Sequence, residues 1–448
     1  MMCTWVAGDI QRMRDDYYNC FEHFFWAQDD FLGMVPTEPV WWSGHTRYRE
    51  SVVAIKLLID QSHANGIKAI TYAKRLGNGV RGVEAVRRHP EWVWQDGGTL
   101  SLGRHVKQIH DWDSSNQAGS ANYVQINYNM NDPAVVEVGI KSLSDSATFF
   151  GWDAARWDGN FDVMSQVYDL EGKLVEKLTP DQVDARSAAN MRHSKDEITK
   201  AHPQFRYGYN WMQGNWQEMM ATNPRESTEL CRGGGLIMNE LIRGSAGVQS
   251  PFHRWDVFGP TLADDTEAVK KLGGYYGPIF DFANTPDGKY ANAFAYAAGA
   301  HPYYHHLWGA FVTRNSAFIW DNALTRMHTP ENAVLVSAGI WWRNWVFERP
   351  VDDTHRQLII HLINPPAHPT VGASLKPEDM PPPLKDVKVQ ILPALLEGWT
   401  PVRATCLSPE PALRETLPLA AVAGVYNCTV PEVDLWTILV VDMTKGRR

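Results

Sequence analysis

From Tyr17 to about Trp345 the chain keeps switching between two hydrophobic periods, short apolar or aromatic runs of strand length and longer stretches with apolar residues at helical spacing. Strand-then-helix alternation, repeated many times, is the pattern of βα units built around a parallel sheet. The predicted strands are Cys20 to Trp26, Ile67 to Tyr72, Tyr123 to Tyr128, Trp152 to Asp158, Phe205 to Trp211, Gly235 to Asn239, Tyr276 to Phe282 and a short one at His301 to Tyr304. Eight such units predict an α/β fold, a (β/α)8 TIM barrel over residues 1–345.

The helices between them carry their own punctuation. Glu50 to Asn65 has apolar residues at helical spacing, and Asn65-Gly66 stops it before the next strand. After the Tyr123 to Tyr128 run, Asp132 can cap a helix and Pro133 can occupy its first position, and the helix then runs to Phe150. Around Arg349 the pattern becomes short alternating runs divided by Pro and Gly: Gln357 to Ile363, Val387 to Leu392, Val402 to Leu407 and Leu435 to Val441. That change predicts a C-terminal antiparallel β-sandwich domain over residues 346–448, with Met380-Pro381-Pro382-Pro383 as a loop within it.

Charge and cysteine usage remove whole classes of function. A net charge of −9, with Lys and Arg scattered, offers no basic stripe to a phosphate backbone, so nucleic acid is not an expected partner. The five Cys have no CxxC spacing and read as free thiols, and neither a metal nor a cofactor is expected. Met1 opens no charged-then-apolar leader and no apolar run reaches membrane length, so no membrane partner is expected. A cytoplasmic protein is the default, and a secreted or periplasmic one the reading if a leader was trimmed. Oligomeric state is not legible. Against this plain background the chain has 19 Trp, many beside Asp, Asn, Arg or His. Any one Trp is most simply core, but clusters such as Trp41-Trp42 and Trp341-Trp342 together favour a surface that stacks on the C–H faces of sugars.

In such a barrel the active site forms at the carboxyl ends of the strands, so acids there matter most. Asp158 closes the fourth predicted strand, and Glu240 follows the sixth. Glycoside cleavage needs one carboxylate at the anomeric carbon and one carboxylic acid to protonate the leaving oxygen. Arg156, two residues before Asp158 on the same strand face, would keep Asp158 ionised. Glu240 lies among Met238, Leu241 and Ile242, where desolvation would raise its pKa toward that of a proton donor.

These residues carry a resemblance. His63-Ala64-Asn65-Gly66-Ile67-Lys68-Ala69-Ile70-Thr71-Tyr72, Arg88-His89-Pro90-Glu91-Trp92 and Gly151-Trp152-Asp153-Ala154-Ala155-Arg156-Trp157-Asp158-Gly159 look like α-glycoside-cleaving barrels. The order of parts resembles glycoside hydrolase family 66, the dextranases and cycloisomaltooligosaccharide glucanotransferases, and the wider group related to α-galactosidases. Those families place an Asp nucleophile after the fourth strand and an Asp or Glu acid/base after the sixth. The resemblance therefore implies Asp158 as nucleophile and Glu240 as acid/base. Two departures count against a close match and imply a divergent glycoside hydrolase that resembles family 66 rather than a dextranase itself: the N-terminal β-domain of family 66 has no counterpart here, and the loop from Trp94 to Asn122 matches nothing in it. The Arg-x-Asp ending also resembles α-amylases, but their proton donor after the fifth strand is missing at Asn210-Trp211. Asn239-Glu240 is similar to the acid/base of many β-glycosidases, which would need a Glu on the seventh strand, where Asp281 is the nearest acid.

The strand ends add candidate sugar-binding groups: Trp26, Asp29 and Asp30; Trp41 and Trp42; Tyr72 and Lys74; Asn127 and Asn129; Arg156; Asn210 and Trp211. At least one of Trp41, Trp42 and Trp211 is expected to be an exposed platform. The reading is a retaining glycoside hydrolase, or a transglycosylase, that acts on an α-linked oligo- or polysaccharide through a glycosyl-aspartate intermediate. The alternative is a carbohydrate-binding barrel without turnover. An isomerase or aldolase of phosphorylated sugars would need a Gly-rich phosphate loop near the last strands or a buried Lys, and neither is apparent.

Overall fold

Local signals decide where the helices start and stop. Asp132 caps Pro133–Phe150 by accepting the Ala134 N–H at 2.9 Å, Pro133 takes the first helical position, and Gly151 ends the helix at φ 86°, a left-handed value that a side chain resists. Val135, Val136, Ile140, Leu143, Ala147 and Phe150 form its buried stripe. Pro180–Ala201 opens with a reciprocal capping box, in which the Thr179 hydroxyl accepts the Gln182 N–H and the Gln182 side chain accepts the Thr179 N–H.

The structure is a computed structural model and describes residues 3–4, 9–43, 49–96, 99–100, 125–159, 161–211, 216–239, 253–279, 284–303, 306–372 and 375–445. The chain divides into two units, Met1–Asn239 with Val269–Tyr276, and Glu240–Ala268 with Gly277–Arg448.

The first unit is organised on one seven-stranded sheet. In spatial and chain order its strands are β1 (Cys3–Thr4), β2 (Cys20–His23), β3 (Lys68–Lys74), β4 (Ala154–Asp158), β5 (Arg206–Trp211), β6 (Leu236–Asn239) and β7 (Tyr275–Pro278). The pairings from β1 through β6 are parallel. Helices such as Val52–Ala64, Pro133–Phe150, Pro180–Ala201 and Pro224–Cys231 fill the crossovers that parallel pairing requires.

Three strand expectations need correction. Of the Tyr123 to Tyr128 run, Tyr123 and Val124 lie outside the described residues, and Gln125–Asn127 is not a strand of this sheet: it pairs antiparallel with Leu76–Asn78, and β3 lies directly beside β4. Its polar Asn127 suits a small two-stranded ladder better than a sheet covered on both faces. Cys3–Thr4, which the periodicity missed, pairs parallel with Cys20–Phe21 and adds a strand at the start, so Asp158 still ends the fourth strand. Two residues are too few to leave a periodic signal. The Cys20 to Trp26 run stops at His23, because Phe25 takes φ 51°, outside the extended region.

In the second unit the chain past β7 makes a parallel bridge, Ile279 with Tyr303, where the last predicted strand was expected; Tyr304, His305, Asp281 and Phe282 lie outside the described residues. Two antiparallel sheets follow. One has six strands in the order Thr325–Arg326, Val346–Pro350, His355–Ile363, Trp436–Lys445, Trp399–Pro409, Ala412–Leu417; the other has four, Val334–Val336, Leu384–Ile391, Val425–Val433, Ala420–Val422. One core draws on both: Leu358, Ile360, Leu439 and Val441 from the first, Val387, Val389, Ile391 and Val430 from the second. Leu384–Ile391 shows the period of two directly, with Val387, Val389 and Ile391 buried and Lys388 exposed between them. Two strands of this sandwich, Thr325–Arg326 and Val334–Val336, precede residue 346 in the chain.

Candidate active site

Strand β4 reads Ala-Ala-Arg-Trp-Asp, so alternation sends Arg156 and Asp158 to one face and Trp157 to the other. Trp157 is fully buried against Phe161 and Phe31. Register then sets the neighbours: Arg156 lies between Tyr72 on β3 and Gly208 on β5, and Asp158 between Lys74 and Asn210. Gly208 leaves the room that Arg156 uses, since a Cβ there would stand 3.3 Å from the Arg156 Cγ.

These positions converge on the Asp158 carboxylate. The Tyr72 hydroxyl donates to Oδ2 at 2.5 Å, Asn210 Nδ2 donates to Oδ1 at 3.0 Å, and Lys74 Nζ stands 3.7 Å from Oδ2. Arg156, one pleat below, donates its Nε to buried Glu22 at 2.9 Å and spreads its guanidinium over the rings of Tyr72 (4.8 Å) and Phe24 (5.2 Å). Burial alone would raise the pKa of Asp158. The charges of Arg156 and Lys74 and the hydrogen bonds from Tyr72 and Asn210 outweigh it, and the net direction is down. Tyr72 is moved the opposite way, well above the usual phenol value, by burial first and by the Asp158 charge second. It therefore stays a proton donor while Asp158 stays a carboxylate. The Asp158 side chain keeps 22% of its surface exposed, so the ionised group can still be reached from outside.

The remaining expected residues fall into distinct places. Asp29 is buried and anchors its own loop, its Oδ1 accepting the N–H groups of Phe31 (2.9 Å) and Leu32 (2.6 Å), with the Tyr128 hydroxyl 3.4 Å from Oδ2. Asp30 is buried, close enough to Tyr72 to disfavour its ionisation, and its carbonyl accepts the Lys74 N–H. Trp26 and Trp41 are buried, the first donating to Thr71 Oγ1 at 3.0 Å and the second to the Trp26 carbonyl at 2.9 Å. No ligand reaches either ring without displacing the wall. Trp42 is 39% exposed, with the Arg49 guanidinium over its ring. Asn127 lies in the Leu76–Asn78 ladder, and Asn129 Oδ1 accepts the Asn131 N–H at 3.1 Å, shaping the turn into the next helix. Trp211 is the last residue of β5; its side chain and the whole of Glu240 lie outside the described residues. Asn239, which precedes Glu240, donates Nδ2 to the Tyr276 hydroxyl at 2.8 Å.

Sequence reasoning missed Glu22, the buried partner of Arg156, although its place two residues into an apolar strand marks an acid that must be paired. It also assigned Tyr72 and Lys74 to sugar, where the geometry turns both toward Asp158. The signal was present: Tyr72 and Lys74 share the spacing of Arg156 and Asp158 on the adjacent strand.

Among the described residues no helix is long and apolar enough to cross a membrane, and no cluster of three or more His, Cys, Asp or Glu is placed to hold a metal ion. His301 stacks on Trp320 at 5.0 Å.

The chain's structural neighbours are glycoside hydrolase barrels with C-terminal sheet domains, and the likeness is one of fold. A cycloisomaltooligosaccharide glucanotransferase from Paenibacillus sp., solved with cycloisomaltoheptaose, aligns with a TM-score of 0.72 at 12% identity, over 98% of this chain and 84% of its own. An Anoxybacillus α-amylase aligns at 0.51 with 9% identity, over 98% and 91%, and a maltogenic α-amylase from Thermotoga neapolitana at 0.50 with 9%, over 96% and 93%. In sequence the chain matches no family model and no curated protein. The resemblance to family 66 thus holds at the level of the fold.

Proposed function

We propose that the chain is a retaining glycoside hydrolase, with transglycosylation open to it, acting on an α-linked glycan. The reading rests on one observation: an accessible carboxylate at the end of β4, held ionised by Arg156 and Lys74 and oriented by Tyr72 and Asn210. An Asp oxygen so held attacks the anomeric carbon as the bond to the leaving oxygen breaks, and forms a glycosyl ester. Glu240, next in sequence to the end of β6, is the proposed acid that protonates the leaving oxygen and then the base that activates water or an acceptor sugar. In this proposal residues 1–345 form a (β/α)8 catalytic barrel, and the β-sandwich of 346–448 follows it. Trp42 offers a stacking face for the glycan, and no cofactor takes part.

A panel of aryl α- and β-glycosides, with product configuration read by NMR, tests the reading. The wild type should cleave an α-glycoside with retention, and Asp158→Asn should abolish turnover on every substrate, because a neutral amide cannot form the ester. Inversion, or an active Asp158→Asn enzyme, sinks it. Binding without turnover across the panel favours the alternative of a non-catalytic carbohydrate-binding barrel.

A further inference from the structure

The second unit has a cavity of about 340 Å³, between Gly309–Arg314 with its flanks and the Trp399–Pro409 and Ala412–Leu417 strands, that the proposed chemistry does not use. Its lining includes Trp308, Phe311, Arg314, Asn315, Ser408 and Arg414. The aromatic wall is fixed from behind. Trp308 donates its indole N–H to Glu410 at 2.9 Å and stands 5.7 Å from the Trp436 ring, which Phe311 meets edge-on at 5.4 Å. Trp308 also holds φ 58°, a left-handed backbone that L side chains rarely adopt.

The polar part of the lining is unbalanced. Arg314 and Arg414 are exposed, and neither has a carboxylate or hydrogen-bond partner among the described residues. The nearby acid Glu410 is already taken by Lys289 at 2.6 Å and by Trp308. Asn315 is 3% exposed and uses its Nδ2 on the Phe311 carbonyl, while its buried Oδ1 accepts no hydrogen bond from a described residue. A buried acceptor left open costs free energy unless a ligand or water donates to it. The cavity thus joins aromatic rings, two unneutralised guanidinium groups and one open acceptor, at the small end of the size range of ligand pockets.

We propose that this cavity is a second carbohydrate site, specific for a single anionic sugar unit of the uronic acid class. The ring's C–H face would lie on the aromatic wall, its carboxylate would meet Arg314 and Arg414, and a hydroxyl would donate to Asn315 Oδ1. The site stands on its own lining, so it and the role of Asp158 fail separately.

Saturation-transfer NMR and titration of the full chain with glucuronate, glucose and inorganic phosphate test it. Glucuronate should bind at one site with millimolar affinity, and its ring protons should receive saturation from aromatic side chains. Arg314→Gln with Arg414→Gln, both at exposed positions, should weaken it by at least about tenfold. Asp158→Asn should leave it unchanged. The proposal is overturned by no saturable binding of glucuronate, by binding unaffected by the paired Arg substitution, or by glucose bound as tightly as glucuronate. Phosphate binding as tight as glucuronate also overturns it, since charge alone would then account for the site.

Discussion

At the scale of single residues, the proposed chemistry turns on how Asp158 is kept charged. Burial works against the carboxylate, so each group that offsets burial should be visible in the pH dependence. Tyr72→Phe removes the donor at 2.5 Å from Oδ2. A hydrogen bond to a charged group contributes about 1.5–3 kcal/mol, which corresponds to about one to two pKa units. The sign follows from the direction of the native shift: a carboxylate held below its usual range is ionised over a wide range, and loss of a donor moves its titration upward. The acid limb of kcat/KM should therefore rise by about one unit in Tyr72→Phe, and a pH–rate profile on any cleaved aryl glycoside measures it. An unmoved limb would mean that Tyr72 does not govern Asp158. Much of this cluster was legible, because Arg156 and Asp158 sit at a spacing of two at the end of an apolar run. Glu22 and the true partners of Tyr72 and Lys74 were not, since register between strands distant in sequence is not written in either strand alone.

Among elements, those with strong local chemistry were read well and those defined by partners were not. Pro133–Phe150 carries its cap, its first-turn Pro and its terminal Gly in the sequence. Cys3–Thr4 and Gln125–Asn127 are short strands whose membership depends on what they pair with. The sandwich strands were found because one buried face enforces alternation, yet their buried polar group was overlooked. His361, on His355–Ile363, lies fully buried under Trp436, accepts its indole N–H at 3.2 Å, and has its pKa lowered to about 3, chiefly by burial. An unfolded His titrates at about 6.5, so between that pH and the native value the unfolded chain binds the extra proton. The stability from neutral His361 is present above that range and is lost as pH falls through it, at a limiting slope of about 1.4 kcal/mol per pH unit. His361→Leu should be less stable than wild type at pH 7, having lost the Trp436 acceptor, and the gap should narrow on acidification toward about pH 4. Denaturant midpoints of the two proteins across that range check it, and a gap that stays constant or widens would contradict it.

For the whole molecule, the alternation of periods announced a parallel βα region followed by a sandwich, and the neighbours in fold space agree with that order. The chemistry proposed for it depends on one covalent event. A fluorinated α-glycosyl fluoride of a sugar that the enzyme accepts should form the ester and then stall, because the fluorine destabilises the positive charge needed to break it down. Peptide mapping of the trapped enzyme by mass spectrometry should place a single glycosyl adduct on the peptide containing Asp158, with activity lost in step. An adduct on another acid, or an active enzyme that releases fluoride yet never carries a covalent sugar, would contradict the account.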